Sequence, residues 1–252
     1  MKILFSILFS FSVCMAGGQT EWHYVAAKSG LSLREKPESA AKVLDKIPYG
    51  QKIEADIYDQ QYGQISTEGF NGWWSKVTYN GKTGFIVNSY LIQVEPPKSD
   101  IKDLKGYLQQ LSQPIASPSV LKKGKNNDDG FGETTLTKQY FKNGAEWHDY
   151  QGYEYNSFSA IIPGMRVKDA WILLRLLKCY PELVTETDLF PVKNSNSNKD
   201  NSSKKITIEK ETYTPTNFYI KRIKVEGDAG AIYNLEISEW DNQVLIYFNA
   251  GV

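Results

Sequence analysis

An Asn-Gly dipeptide between two strand-forming segments constrains the fold of this chain most strongly. It occupies positions 80–81 within Val-Thr-Tyr-Asn-Gly-Lys-Thr, residues 77–83. Asparagine and glycine both tolerate the positive φ angles of a two-residue type I′ turn, so the segment predicts a β-hairpin. A two-residue loop also fixes the register, and we expect Trp74 to lie opposite Val87 across the hairpin.

Further short strands and turns are predicted around this hairpin. Strand-forming residues cover 22–27, 31–34 and 51–59, and the prolines at 96–97 end the segment. Proline lacks a backbone N–H and cannot continue a strand ladder, so these prolines mark the end of a first, mostly β unit.

Four motifs within this unit resemble a known family. They are Gly-Leu-Ser-Leu-Arg-Glu-Lys-Pro at 30–37, Gly-Gln-Lys-Ile at 50–53, the segment from Gly72 to Ile86, and Tyr-Leu at 90–91. Their order and spacing over residues 24–92 are similar to the bacterial SH3 domain (SH3b). The resemblance implies an SH3-like small β-barrel that serves as an appended binding module of a cell-envelope protein.

The resemblance also implies recognition of cell-wall peptides or other envelope ligands in an aromatic-lined groove. Aromatic rings offer a large contact area at a small entropic cost, and their faces attract ammonium groups or stack on sugars. The candidate ligand-binding residues are Trp73, Trp74, Phe85, Tyr58 and Tyr62. For Trp74 and Phe85 the alternative is a purely structural role, because a unit of this size must bury most of its large apolar side chains.

The remainder of the chain predicts a second unit of a different class. A second Asn-Gly hairpin covers 135–150 and a strand covers 153–162, while 206–208, 218–225, 231–237 and 244–248 alternate as further strands. Residues 166–180 have an apolar stripe wide enough for a helix that is buried on most sides. Residues 101–111 predict a shorter helix capped by Ser99, residues 112–133 an irregular connection, and the polar tract 194–205 a mobile loop.

The predicted fold class is therefore mostly β, with an N-terminal SH3-like small β-barrel and a C-terminal α+β domain. In that second domain an antiparallel sheet packs on one main buried helix. The predicted division is a signal peptide at 1–19, the SH3b domain at 20–95, a linker with a short helix at 96–133, and an α+β domain of unknown role at 134–252.

The first residues are typical of an export signal. Lys2 precedes an uncharged apolar run from Ile3 to Met15, and small residues follow at 16–18. The run is too short for a transmembrane helix. We therefore expect an exported protein, in the periplasm, on the cell surface or secreted. Whether Cys14 is removed with the leader or lipidated stays open, although Val13 is bulky for a lipidation signal.

Composition argues against most enzymatic classes. The chain has 29 basic and 29 acidic residues and two histidines. It therefore has no net positive charge that would attract nucleic acid. A Cys–His hydrolase needs a histidine after Cys179, and none follows; a zinc enzyme needs more ligands than His23 and His148 supply. We therefore expect no catalytic residues, no metal site and no cofactor. A glycosidase needs only two carboxylates, so a cell-wall hydrolase stays open as the third alternative.

The sequence thus predicts an exported, non-enzymatic SH3b protein that binds peptidoglycan or another envelope component. The alternative is an envelope scaffold protein that binds a protein partner through its C-terminal domain.

Overall fold

The computed structural model describes residues 20–125, 133–199, 202–214, 217–228 and 230–251. The predicted signal peptide at 1–19 and Cys14 lie outside these residues. In the described ranges strands far outnumber helices, which confirms the mostly β class. No helix in these ranges has the length and apolar character to cross a membrane.

Short strands build the N-terminal part. They are β1 (Glu21–Val25), β2 (Leu31–Arg34), β3 (Val43–Ile47), β4 (Lys52–Ala55), β5 (Gln64–Thr67), β6 (Phe70–Tyr79), β7 (Lys82–Val87) and β8 (Leu91–Ile92). They form two hydrogen-bonded sheets, ordered β4-β1-β8 and β3-β2-β7-β6-β5. The predicted barrel is therefore not closed. The chain leaves one sheet at Val87 and enters the other at Leu91 through a 3₁₀ turn at Asn88–Tyr90, which interrupts the ladder.

The predicted hairpin is confirmed in its turn and its register. Asn80 and Gly81 have φ angles of 49° and 72°, as a type I′ turn requires. Trp74 lies opposite Val87 in the ladder between β6 and β7. The predicted strand at 51–59 is shorter than expected, since the Asp56 carboxylate accepts hydrogen bonds from two following backbone N–H groups and turns the chain.

Over its described residues, the C-terminal part is one nine-stranded antiparallel sheet with two α-helices. Its elements are α1 (Leu104–Leu111), β9 (Ser119–Lys125), β10 (Glu133–Tyr140), β11 (Glu146–Gln151), β12 (Tyr155–Pro163), α2 (Val167–Leu177), β13 (Ser195–Lys199), β14 (Ser202–Thr214), β15 (Asn217–Asp228), β16 (Ile232–Trp240) and β17 (Gln243–Gly251). The strand order is β13-β14-β15-β16-β17-β12-β11-β10-β9. Helix α2 packs against β15, β16 and β17, and α1 against β11 and β12.

Two segments that we expected to be irregular are strands. Residues 119–125, within the predicted irregular connection, form β9 and pair with β10. The polar tract at 194–205, predicted as a mobile loop, forms β13 and the start of β14. Both predictions were wrong because β13 and β9 are edge strands, which backbone pairing with a neighbour holds without apolar side chains.

Both predicted helices are present, with different ends. Asp103, not Ser99, caps α1, and its carboxylate accepts a hydrogen bond of 2.7 Å from the Gly106 N–H. Helix α2 ends at Lys178, which adopts a left-handed conformation with φ of 56°. The end precedes Pro181, so the C-cap rather than the proline terminates the helix.

The connection after the N-terminal part is anchored by hydrogen bonds. The Tyr107 hydroxyl of α1 donates to the Glu95 carbonyl at 2.7 Å, and the Tyr49 hydroxyl donates to the Pro97 carbonyl at 2.7 Å. Tyr107 has 0% exposure. Because Tyr49 and Tyr107 come from different parts of the chain, this connection ties the two parts together.

The hydrophobic core also extends across both parts. Val25, Leu33 and Ile86 belong to a cluster within the N-terminal part. Phe70 and Ile92, however, are buried in the larger cluster that contains α1, α2 and the nine-stranded sheet. The two parts therefore share apolar packing instead of standing apart on a flexible linker.

Candidate functional site

A groove of about 550 Å³ lies between the N-terminal part and helix α2. Its apolar lining comes from both: Leu31, Trp74 and Val87 from the strands, and Ile172 and Leu176 from the helix. A cleft of this size and composition has the dimensions of a small-molecule or peptide site.

The hairpin between β6 and β7 places the aromatic residue of the groove. Trp74 and Val87 are direct cross-strand partners, so their side chains lie on the same face of the hairpin. The Trp74 N–H donates to the Gly63 carbonyl at 3.1 Å, and the side chain is only 5% exposed. Trp74 is therefore packed, and its accessible portion lines the groove; its contact with a ligand stays a prediction.

One rim of the groove is a charged hydrogen-bonded cluster. Arg175 of α2 forms an ion pair with Glu68 at 2.6 Å, and the Tyr90 hydroxyl donates to the same carboxylate. Arg175 also donates to the Glu186 carbonyl at 2.7 Å. These bonds connect the turn before β6 to the helix, so the rim holds the two walls of the groove at a fixed separation.

The protonation states of this cluster follow from its contacts. The Tyr90 hydroxyl, and next the Arg175 guanidinium, hold the pKa of Glu68 below its ordinary value. Burial, with the Glu68 carboxylate, raises the pKa of Tyr90 to about 12. At neutral pH, Glu68 is therefore ionised and Tyr90 is protonated, as the donor geometry requires.

Basic and hydroxyl side chains also line the groove. They are Lys28, Ser29, Ser32, Arg34 and Ser39. One nitrogen of Arg34 donates to the Ala41 carbonyl at 2.8 Å, which orients the guanidinium. The groove therefore combines apolar side chains with cationic groups and with two carboxylates, Glu68 and Glu186, that are paired with Arg175 and Lys178.

The five residues predicted from the sequence do not converge on this groove. Trp74 lines it, whereas Phe85 and Tyr62 pack on each other edge to face, with ring centroids 4.9 Å apart. Tyr58 is 53% exposed, and its hydroxyl accepts a hydrogen bond of 2.6 Å from Arg166. Trp73 is half-buried on the neighbouring position of β6.

The contribution of α2 was missed because it depends on how the two parts dock. The sequence indicated a helix buried on most sides, and the width of its apolar stripe was the available signal that the helix packs on a second surface besides the sheet. Arg175 interrupts this apolar stripe. A charged residue in such a stripe needs a partner, and Glu68 supplies it from a distant position in the chain.

Comparison with known proteins identifies the N-terminal part. Residues 29–92 match the family model of the bacterial SH3 domain. This match confirms the resemblance drawn from the four motifs, and it ends at Ile92, the last residue of β8. No curated protein and no solved structure matches the chain. The SH3b segment is a binding module, so the groove that it lines is the candidate site for a ligand.

The residues considered for catalysis lie apart from the groove. The His148 ring contacts Glu146 at 2.9 Å on β11, and His23 is fully buried on β1. Burial raises the pKa of the Cys179 thiol to about 12, which leaves it protonated and unreactive at neutral pH. Within the described ranges, no group of three or more His, Cys, Asp or Glu side chains could hold a metal ion.

Proposed function

We propose that this protein is an exported, non-enzymatic binding protein that holds a peptide of the cell envelope, the stem peptide of peptidoglycan, in the groove between its SH3b segment and helix α2. The observation that carries the proposal is the joint construction of the groove. A segment that matches a family of binding modules supplies one wall, and α2 supplies the other.

The chemistry of the groove suits a short zwitterionic peptide. Lys28 and Arg34 offer cationic groups to a carboxylate, and the carboxylates of Glu68 and Glu186, which are paired with Arg175 and Lys178, are available to share with an ammonium group. Between them, Trp74 and the aliphatic side chains accept the uncharged part of the peptide.

The full chain is needed for this site. Phe70 and Ile92 are buried against residues of the C-terminal part, so an isolated N-terminal fragment would expose apolar surface and lack the α2 wall. Binding should therefore be measured with the whole exported chain and purified peptidoglycan sacculi.

The test compares two Leu→Arg variants. Leu176 is a half-buried residue of the groove wall, and Leu189 is 63% exposed and does not line the groove. Leu176→Arg should occupy the groove and reduce co-sedimentation with sacculi at least ten-fold, while Leu189→Arg should sediment like the unmodified protein. Circular dichroism establishes that both variants are folded.

Two results would contradict the proposal. The folded, unmodified chain could remain in the supernatant, or both variants could sediment equally well. Retention of a specific envelope protein instead of sacculi would favour the scaffold alternative, in which residues 134–252 bind a protein partner.

A further inference from the structure

In the part of the chain that the structure describes, no helix packs on one face of the nine-stranded sheet. Helices α1 and α2 contact the face that carries Ala160, Ile246 and Leu235, all of which have 0% exposure. Alternation along the strands places Tyr155, Ser157, Tyr247, Asn249 and Asn234 on the other face, in β12, β17 and β16. We refer to these five residues as the tyrosine–asparagine patch.

Hydrogen bonds between neighbouring strands fix the side chains of this patch. The hydroxyls of Tyr155 and Tyr247 are 2.7 Å apart, and the Asn249 amide donates to the Tyr247 hydroxyl at 3.2 Å. The Asn234 amide in turn donates to the Asn249 carbonyl oxygen at 2.9 Å. The rings and amides are therefore held in place before any ligand arrives, which lowers the entropic cost of binding.

Together with Tyr150, the patch spans four strands. The ring of Tyr150 on β11 lies 6.0 Å from that of Tyr155, and Asn234 lies on β16 beyond β17. Three spacings of about 4.8 Å give a length of about 14 Å from β11 to β16. Tyr155 is 39% exposed, so a ring remains accessible from solvent.

The two central strands of this face carry no charge. Strands β12 (YNSFSAIIP) and β17 (QVLIYFNAG) contain no acidic or basic residue. On the neighbouring β16, Glu236 lies directly opposite Tyr247, and its carboxylate is paired with Arg222 at 2.7 Å. Because this carboxylate already has a cationic partner in the protein, a neutral ligand can bind beside it without desolvating an unpaired charge.

We propose that the tyrosine–asparagine patch binds a neutral polysaccharide chain. Hydroxyl groups of a sugar both donate and accept hydrogen bonds, and so do the tyrosine hydroxyls and asparagine amides of the patch. The tyrosine rings offer flat apolar faces to the C–H side of a sugar ring. A protein partner would need a buried apolar anchor, and the aliphatic residues of β12 and β17 on this face, Ile161 and Leu245, are half-buried.

This site is separate from the groove. The groove is lined by α2, which packs on the opposite face of the sheet. The two binding activities are therefore expected to fail independently when one surface is altered.

The experiment is isothermal titration of the full chain with three neutral hexasaccharides: chitohexaose, cellohexaose and maltohexaose. At least one should bind saturably. Tyr155→Ala should weaken that binding at least ten-fold, and Tyr247→Phe, which keeps the ring and removes one hydroxyl, about three-fold. Trp22→Ala is the matched control, because Trp22 is an aromatic residue of β1 with 58% exposure.

The proposal is overturned if none of the three sugars binds at millimolar concentration. It is also overturned if the folded Tyr155→Ala variant binds as tightly as the unmodified chain, or if Leu176→Arg in the groove abolishes sugar binding while the patch variants do not. Two separate sites are supported if the patch variants lose sugar binding and Leu176→Arg loses only co-sedimentation with sacculi.

Discussion

The contact between the two parts of the chain can be tested at one glycine. Gly69 forms the turn before β6 with φ of 83°, and a Cβ atom there would lie 2.3 Å from the carbonyl oxygen of Phe190. Beside it, the Phe190 N–H donates to the Glu68 carbonyl at 2.9 Å. Gly69→Ala should therefore push the turn away from Phe190 and loosen the docking of the SH3b segment.

Gly63→Ala is a matched control for this change. Gly63 also has a positive φ, 93°, but a Cβ atom there would meet nothing within 4 Å. At each position the left-handed backbone conformation costs an alanine about 1–2 kcal/mol relative to glycine. At Gly69 the lost hydrogen bond adds about 1 kcal/mol, and displaced apolar packing adds to it. We expect Gly69→Ala to lower the free energy of unfolding by about 3 kcal/mol and Gly63→Ala by about 1–2 kcal/mol.

Urea denaturation followed by far-ultraviolet circular dichroism measures both free energies. Hydrogen exchange locates the effect: Gly69→Ala should speed exchange in α2 as well as in β6, and Gly63→Ala in neither helix. Equal destabilisation by the two alanines, with no change in α2, would refute the close approach of the turn to Phe190.

Two further changes test the shared core and its pH dependence. Phe70 is 1% exposed, and its ring stacks on the Phe190 ring with centroids 4.8 Å apart. Phe70→Ala should therefore lower the free energy of unfolding by about 3–5 kcal/mol and shift a single urea transition, common to both parts, to lower urea. A separate transition of the C-terminal part that does not shift would contradict the shared core. His23 has 0% exposure, its Nδ1 lies 3.0 Å from the Glu21 carbonyl, and burial lowers its pKa from 6.5. Below about pH 6.5 the His23 ring binds a proton more readily in the unfolded chain than in the folded one. The free energy of unfolding is therefore constant with respect to this group above about pH 6.5 and falls below it by up to about 1.4 kcal/mol per pH unit. In melting experiments between pH 7 and 5.5, His23→Gln should reduce that loss, and an unchanged profile would contradict the assignment.

Local signals in the sequence predicted the parts of the fold that local chemistry determines. The Asn80-Gly81 turn fixed the register of β6 and β7 because only φ-tolerant residues close a two-residue loop. The polar strand β13 was not predictable in the same way, because its stability comes from pairing with β14 and not from its own side chains. Edge position is a property of the sheet, and no short window of sequence contains it.

The candidate groove was only partly predictable for a related reason. The SH3b motifs led to Trp74, since the hairpin that carries it is a local structure. Arg175 joins Glu68 across more than a hundred positions of the chain, and only the docked arrangement brings them together. Tyr58 was selected for its ring and its place in a loop, but its hydroxyl is engaged by Arg166 instead of facing the groove.

Docking of the SH3b segment on α2 orders both walls of the groove before a ligand binds. The Tyr49 and Tyr107 hydroxyls hold the connecting segment from both parts, and the Arg175–Glu68 pair joins the two walls of the groove directly. A ligand entering such a groove does not have to order the walls, so less of its interaction energy is spent on fixing side chains and backbone. If the two parts moved freely, the same residues would bind more weakly, although each contact in the bound state would be unchanged. The affinity expected for the proposed site therefore depends on the attachment of the SH3b segment to α2. The Gly69→Ala and Gly63→Ala pair distinguishes loss of this attachment from damage to the SH3b segment alone.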